Sequence, residues 1–145
     1  MQLSEHFTLS ELTHSQTASR LGLDNTPSAS VAASLLRTAI GLERIRKLVG
    51  KPIVVSSGYR SPLVNKAVGG AANSQHTLGQ AADITCPGYG TPAALMALVV
   101  KSGIDYDQAI LEFASNGGGW LHVSFTSTPR KQALVIDHDG TRAYA

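Results

Sequence analysis

Residues 107–125, DQAILEFASNGGGWLHVSF, decide how this chain is put together. Two runs rich in apolar side chains flank a loop of small and polar residues that ends in Gly117, Gly118 and Gly119. Apolar runs around a glycine-rich connection mark an antiparallel β-hairpin. With the loop centred near Gly117, Glu112 and His122 stand opposite each other. Directly opposed residues share a face, with β-carbons roughly 5 Å apart. An imidazole and a carboxylate turned inward together need partners, because burying either one alone is costly.

Upstream, residues 74–83, SQHTLGQAAD, supply a second imidazole, His76, and a second carboxylate, Asp83. Two histidines and one carboxylate are the ligands a catalytic zinc takes when its fourth position stays open. The small residues between them, Gly79, Ala81 and Ala82, are expected to let the backbone fold tightly so that both ligands reach one ion.

The remaining elements follow from spacing. From Val31 to Val49, apolar residues Leu35, Leu36, Ala39, Leu42, Ile45, Leu48 and Val49 recur every three or four positions, which predicts an amphipathic helix ended by Gly50 and Pro52. TPAALMALVVKSG, 91–103, reads as a second helix with Thr91 as cap, Pro92 at its first position and Gly103 beyond its end. PIVVSSGYR reads as a strand followed by a turn, AADITCP as a strand ended by Pro87, SPLVNKAVGG as a short helix, and KQALVID as one more strand. In FTLSELTHS, Thr8 or Ser10 caps a short helix; GLDNTPSAS is a loop leading to a cap at Ser28 or Ser30; HDGTRAYA is a turn and tail. Helices and antiparallel strands in separate runs predict an α+β domain spanning 1–145, with an antiparallel β-sheet carrying the site and helices packed on one side.

Composition narrows the functional classes. The 145 residues, 43% hydrophobic and 15% charged, suit one folded domain with a single core. No apolar run reaches the roughly 18 residues that span a bilayer, and MQLSEHFTLSEL has neither the basic start nor the apolar stretch of a secretory signal. The lone Cys86 rules out an internal disulfide and a multi-cysteine metal site. A net charge of +2 with no Lys/Arg run argues against nucleic acid as partner, although the pI is near 8.9. His6, His14 and His138 fall outside the motif and read as surface residues; Trp120 and Tyr59 read as packing residues.

The ordered motifs resemble a known family. SQHTLGQAADI fits the Ser-x-His-x-x-Gly-x-Ala-x-Asp pattern of the zinc D-Ala-D-Ala carboxypeptidase-like peptidases, WLHV resembles their second-histidine strand, and SSGYRSPLVNKAVGG resembles the Ser-Gly-Tyr-Arg segment before the metal motif. The resemblance runs from about Phe7 to Phe125 and is nearest to small single-domain members of phages and prophages, which include peptidoglycan-cleaving endolysins. It implies that His76, Asp83 and His122 hold zinc, that Arg60 grips a substrate carboxylate or polarises the scissile carbonyl, and that Ser74 lies near the bound peptide. Many relatives carry the general base three residues before the second histidine, a position that is Gly119 in this chain. Glu112 is therefore expected to serve as base, with Asp107 in reserve.

The expected function is zinc-dependent hydrolysis of amide bonds in peptidoglycan stem peptides by a phage endolysin, cutting either L-Ala–D-Glu or a D,D bond. Such a protein acts as a monomer, is made in the host cytoplasm, and reaches the wall after release. The alternative is a non-catalytic zinc-binding tail component or wall-binding module, which the Gly119 departure keeps open.

Overall fold

The computed structural model describes residues 1–145 and consists of five α-helices and six β-strands. The strands are β1 (Val54–Ser57), β2 (Ala81–Thr85), β3 (Gln108–Glu112), β4 (Trp120–Ser124), β5 (Gln132–Asp137) and β6 (Gly140–Ala143). They form one sheet in the order β1-β2-β4-β3-β5-β6. The helices are α1 (Leu9–Thr13), α2 (Gln16–Leu21), α3 (Ala29–Val49), α4 (Pro62–Ala67) and α5 (Pro92–Ser102). The α+β class is as the sequence predicts. No helix is long and apolar enough to cross a membrane.

Alternation along the strands divides the sheet into two faces with different work. Ala82 and Ile84 of β2, Ala109 and Leu111 of β3, and Leu121 and Val123 of β4 face the core. There they meet Leu35, Ala39, Leu42, Ile45 and Val49 of α3 and Leu95, Met96 and Val99 of α5. The intervening residues, Asp83, Ile110, Glu112, Trp120 and His122, take the other face. One continuous apolar layer thus fixes the orientation of every polar side chain behind it. Local signals set the helix limits: Ser28 caps α3, Thr91 caps α5, and Thr8 with Glu11 closes a capping box on α1.

Three elements differ from the sequence expectation. The sheet is mixed, because β5 pairs with β3 in parallel. β5 runs opposite to β4, which it follows in sequence, but β2 and β3 already occupy both sides of β4; β5 docks beyond β3 and so runs with it. The segment read as a tail contains β6, a hairpin partner of β5 turned at Gly140, whose φ is +107°. A further short helix, α2, occupies Gln16–Leu21, where polar composition masked the Ser15 cap and the left-handed Gly22.

Candidate metal centre

His122 on β4 is paired directly across the sheet with Asp83 on β2. On its other side it faces Ile110, not Glu112, which pairs with Trp120. The hairpin is centred one residue earlier than Gly117, and moving the centre by one shifts each partner by two. A shift of two keeps the face, so Glu112 lies diagonally from His122 on the same side, with Glu112 Oε2 3.9 Å from His122 Nδ1.

His76 arrives by another route. It sits in a single 3-10 turn, Gln75–Leu78, that begins where the Ser74 hydroxyl accepts the His76 N–H at 3.2 Å. The turn ends at Gly79 in the left-handed conformation, φ +73°. A β-carbon at Gly79 would lie 2.8 Å from the Val31 carbonyl oxygen of α3. The smallness of this stretch therefore serves packing: Gly79 lets the turn meet α3, and Ala81 and Ala82 are wholly buried in a central strand. That replaces the expectation that these residues exist to wrap the ion.

The three candidate ligands converge. Asp83 Oδ1 lies 3.2 Å from His76 Nε2 and 3.3 Å from His122 Nδ1, and the ligand atoms of all three lie within 4.8 Å of one another. Tetrahedral zinc with bonds of 2.0–2.2 Å holds its ligands about 3.3–3.6 Å apart, so the two edges from Asp83 lie at the short end of what that ion takes. The tautomer also fits. The Gly58 carbonyl can only accept, so His76 Nδ1–H donates to it at 2.7 Å, which leaves Nε2 as the nitrogen aimed at Asp83. All three side chains are buried, with residues 2%, 8% and 8% exposed for His76, Asp83 and His122. Burial alone would raise the Asp83 carboxyl, but the two imidazoles hold it well below the usual carboxylate range. A carboxylate kept ionised between two imidazoles suits a divalent cation.

The residues expected to act on substrate line the same cavity of about 450 Å³, which holds Arg60, Ser74, Glu112 and the three ligands. Glu112 is raised from its ordinary value by burial and by the Asp83 charge, against the opposing pull of His122 and a hydrogen bond from Trp120 Nε1 at 3.2 Å. Trp120, half-buried at the cleft, thus orients Glu112, a role that its place two residues before His122 on the same strand face could have signalled. Arg60 is pulled down by burial and up by Asp83 and Glu112, and its Nε is buried without a protein partner. Ser74 accepts an Arg60 Nη2 hydrogen bond at 3.5 Å besides capping the turn.

Two further placements correct or explain the sequence reading. Asp107, the reserve base, is buried away from the ligands: Arg130 donates to it from Nε at 2.9 Å and from Nη2 at 2.6 Å, and Gln75 from Nε2 at 2.8 Å. Arg130 and Gln75 hold its pKa down at about 2, so it has no basicity to offer near neutral pH. Gly119 has φ +74°, and a β-carbon there would run into the Glu112 carbonyl oxygen and lie 2.5 Å from that of Phe113. This backbone has no room for an acid at that position. Asn25, which carried no local signal, ties Thr13, Tyr59 and Ser61 together and so fixes the segment bearing Arg60. Tyr59 is core, as expected.

Residues 5–123, a span that includes every one of these cleft groups except Arg130, match the family described as peptidase M15. The chain belongs to the peptidase M15 family. A zinc D-Ala-D-Ala carboxypeptidase of Streptomyces albus G is 46% identical over 57 residues, covering 39% of this chain and 22% of that protein. The aligned part is thus under a quarter of the curated relative's length. Within a peptidase M15 protein, a buried His-Asp-His set whose ligand atoms converge to within 4.8 Å of one another is a zinc site.

Proposed function

We propose that this M15 peptidase hydrolyses amide bonds in the stem peptides of peptidoglycan. The observation that carries the reading is the half-buried carboxylate of Glu112, held 3.9 Å from His122 and oriented by Trp120, at the edge of the metal centre. His76, Asp83 and His122 would hold the zinc. Bound zinc supplies Lewis acidity that polarises a carbonyl and makes water nucleophilic near neutral pH. Glu112 takes the proton of the attacking water and returns it to the leaving amine, the usual double duty of such a base. Arg60, with one buried N–H unpaired, donates to the substrate's carboxylate or the developing oxyanion, for which a guanidinium fork is well shaped. Ser74 fixes both the turn that carries His76 and the rotamer of Arg60.

The name of the Streptomyces relative supports a D-Ala-containing substrate, and the proposal extends to a D,D or an L-Ala–D-Glu bond. It extends also to a phage endolysin, acting as a monomer and made in the host cytoplasm before release to the wall; this rests on the likeness to small phage members of the family. Digestion of purified sacculi, with and without chelator, followed by mass spectrometry of the fragments tests the reading. New amino groups that vanish with chelator are expected. Sacculi that bind the protein and yield no new amino groups would favour a wall-binding module.

A further inference from the structure

We infer that Arg130 forms a second anion-binding position in the cleft, so that the preferred substrate carries a free carboxylate on each side of the scissile amide. The inference rests on the peptidase reading and specifies its substrate.

Arg130 lines the same cavity as Arg60, the metal ligands and Glu112. The sheet order sets the two arginines apart. Arg60 follows β1 and Arg130 precedes β5, while Asp83, His122 and Glu112 stand on the three strands between them. Four inter-strand steps of about 4.8 Å separate β1 from β5, roughly 19 Å. Both side chains line the cavity that spans that gap. An extended peptide of several residues laid across the strands therefore meets one guanidinium, then the metal centre, then the other.

The second arginine is moored for such a role. Asp107, 2% exposed, accepts Arg130 N–H at 3.0 Å, Nε at 2.9 Å and Nη2 at 2.6 Å, which fixes both backbone and guanidinium. Nη1 makes no hydrogen bond within the protein, and the side chain is 56% exposed, so one edge of the fork faces outward. The same carboxylate accepts Gln75 Nε2 at 2.8 Å, and Gln75 adjoins His76 in the ligand-bearing turn. A buried anion thus sets the distance between the arginine and the metal centre. A guanidinium fixed in advance loses little rotamer freedom on meeting a carboxylate, which is how positioning gains affinity.

The test uses the full zinc-loaded chain, a stem peptide with two free carboxylates flanking the scissile bond, and its two monoamides. Wild-type protein should cleave the dicarboxylate with kcat/KM roughly 10- to 100-fold above either monoamide, the range for hydrogen bonds to charged groups. In R130Q the advantage over one monoamide should shrink towards one, mostly through KM, while the advantage over the other persists. R130K keeps a charge without the fork and should fall between; it carries the test if R130Q does not fold. D107N, which keeps the arginine and loosens its mooring, should shrink the same ratio. Ratios in R130Q, R130K and D107N equal to wild type overturn the inference. Calorimetric binding of the three peptides to E112Q separates it from the parent reading. If nothing is hydrolysed but the dicarboxylate still binds more tightly and R130Q removes one preference, the anion position stands and the peptidase assignment falls. Hydrolysis that ignores amidation leaves the peptidase and removes this second position.

Discussion

Glu112 shows how a single side chain is prepared by its neighbours. Burial and the Asp83 charge push its carboxyl up, while His122 and the Trp120 N–H restrain the rise, which places a carboxylate of raised affinity for protons beside His122. A carboxylate in that state can accept a proton from water and give it back, which an aspartate held like Asp107 at about 2 cannot. Glu112→Gln keeps shape and removes basicity. Sacculus hydrolysis should fall by about 10²- to 10⁴-fold, with one zinc per chain still found by atomic absorption. Loss of the metal together with the activity would make Glu112 a support of the ligands and not a base.

Among the elements, the 3-10 turn Gln75–Leu78 is the piece whose position decides whether a metal centre exists. Its two ends are pinned by Ser74 and by left-handed Gly79, and Thr38 of α3 donates to the Gly79 carbonyl at 2.8 Å. A side chain at Gly79 meets the Val31 carbonyl at 2.8 Å and Leu35 Cγ at 3.2 Å, and the backbone angle itself resists a β-carbon. Gly79→Ala should therefore cost about 1–3 kcal/mol in denaturant unfolding and weaken zinc binding, because the turn carries His76 as it shifts. Zinc affinity unchanged against a lowered unfolding midpoint would uncouple the turn from the ligand. At the hairpin, by contrast, the ligand face tolerates the error in the loop centre: a two-residue change of partner leaves Glu112 and His122 on one side.

For the whole molecule, stability and site are linked through buried charge. Asp107 titrates at about 2 in the fold against 3.8 ordinarily, since Arg130 and Gln75 bond its ionised form. A depressed folded pKa gives stability that is present above the ordinary value and is lost as pH falls through the folded one. Roughly 2 kcal/mol should disappear between about pH 5 and pH 2, and Asp107→Asn should remove that part of the acid dependence in urea unfolding curves. Metal acts on the same balance. Zinc at 1,000 times its Kd adds about 4 kcal/mol to a fold that alone assembles the ligands, so a chelator should lower the melting temperature by several degrees. An unchanged melting temperature would mean that His76, Asp83 and His122 do not bind the ion together. What the sequence determined by itself is everything carried by short-range rules: α3 and α5 from apolar period and caps, the β3–β4 hairpin from its glycine loop, and the ligand types at His76, Asp83 and His122. Their nature is written locally, because capping, periodicity and side-chain chemistry act within a few residues. Only the tertiary structure decided the parallel dock of β5, the β6 hairpin in an apparent tail, the use of Gly58 and Trp120 to orient His76 and Glu112, and the withdrawal of Asp107 to Arg130. Each of these depends on which segment fills the space beside another, and excluded volume between residues far apart in the chain leaves no local trace.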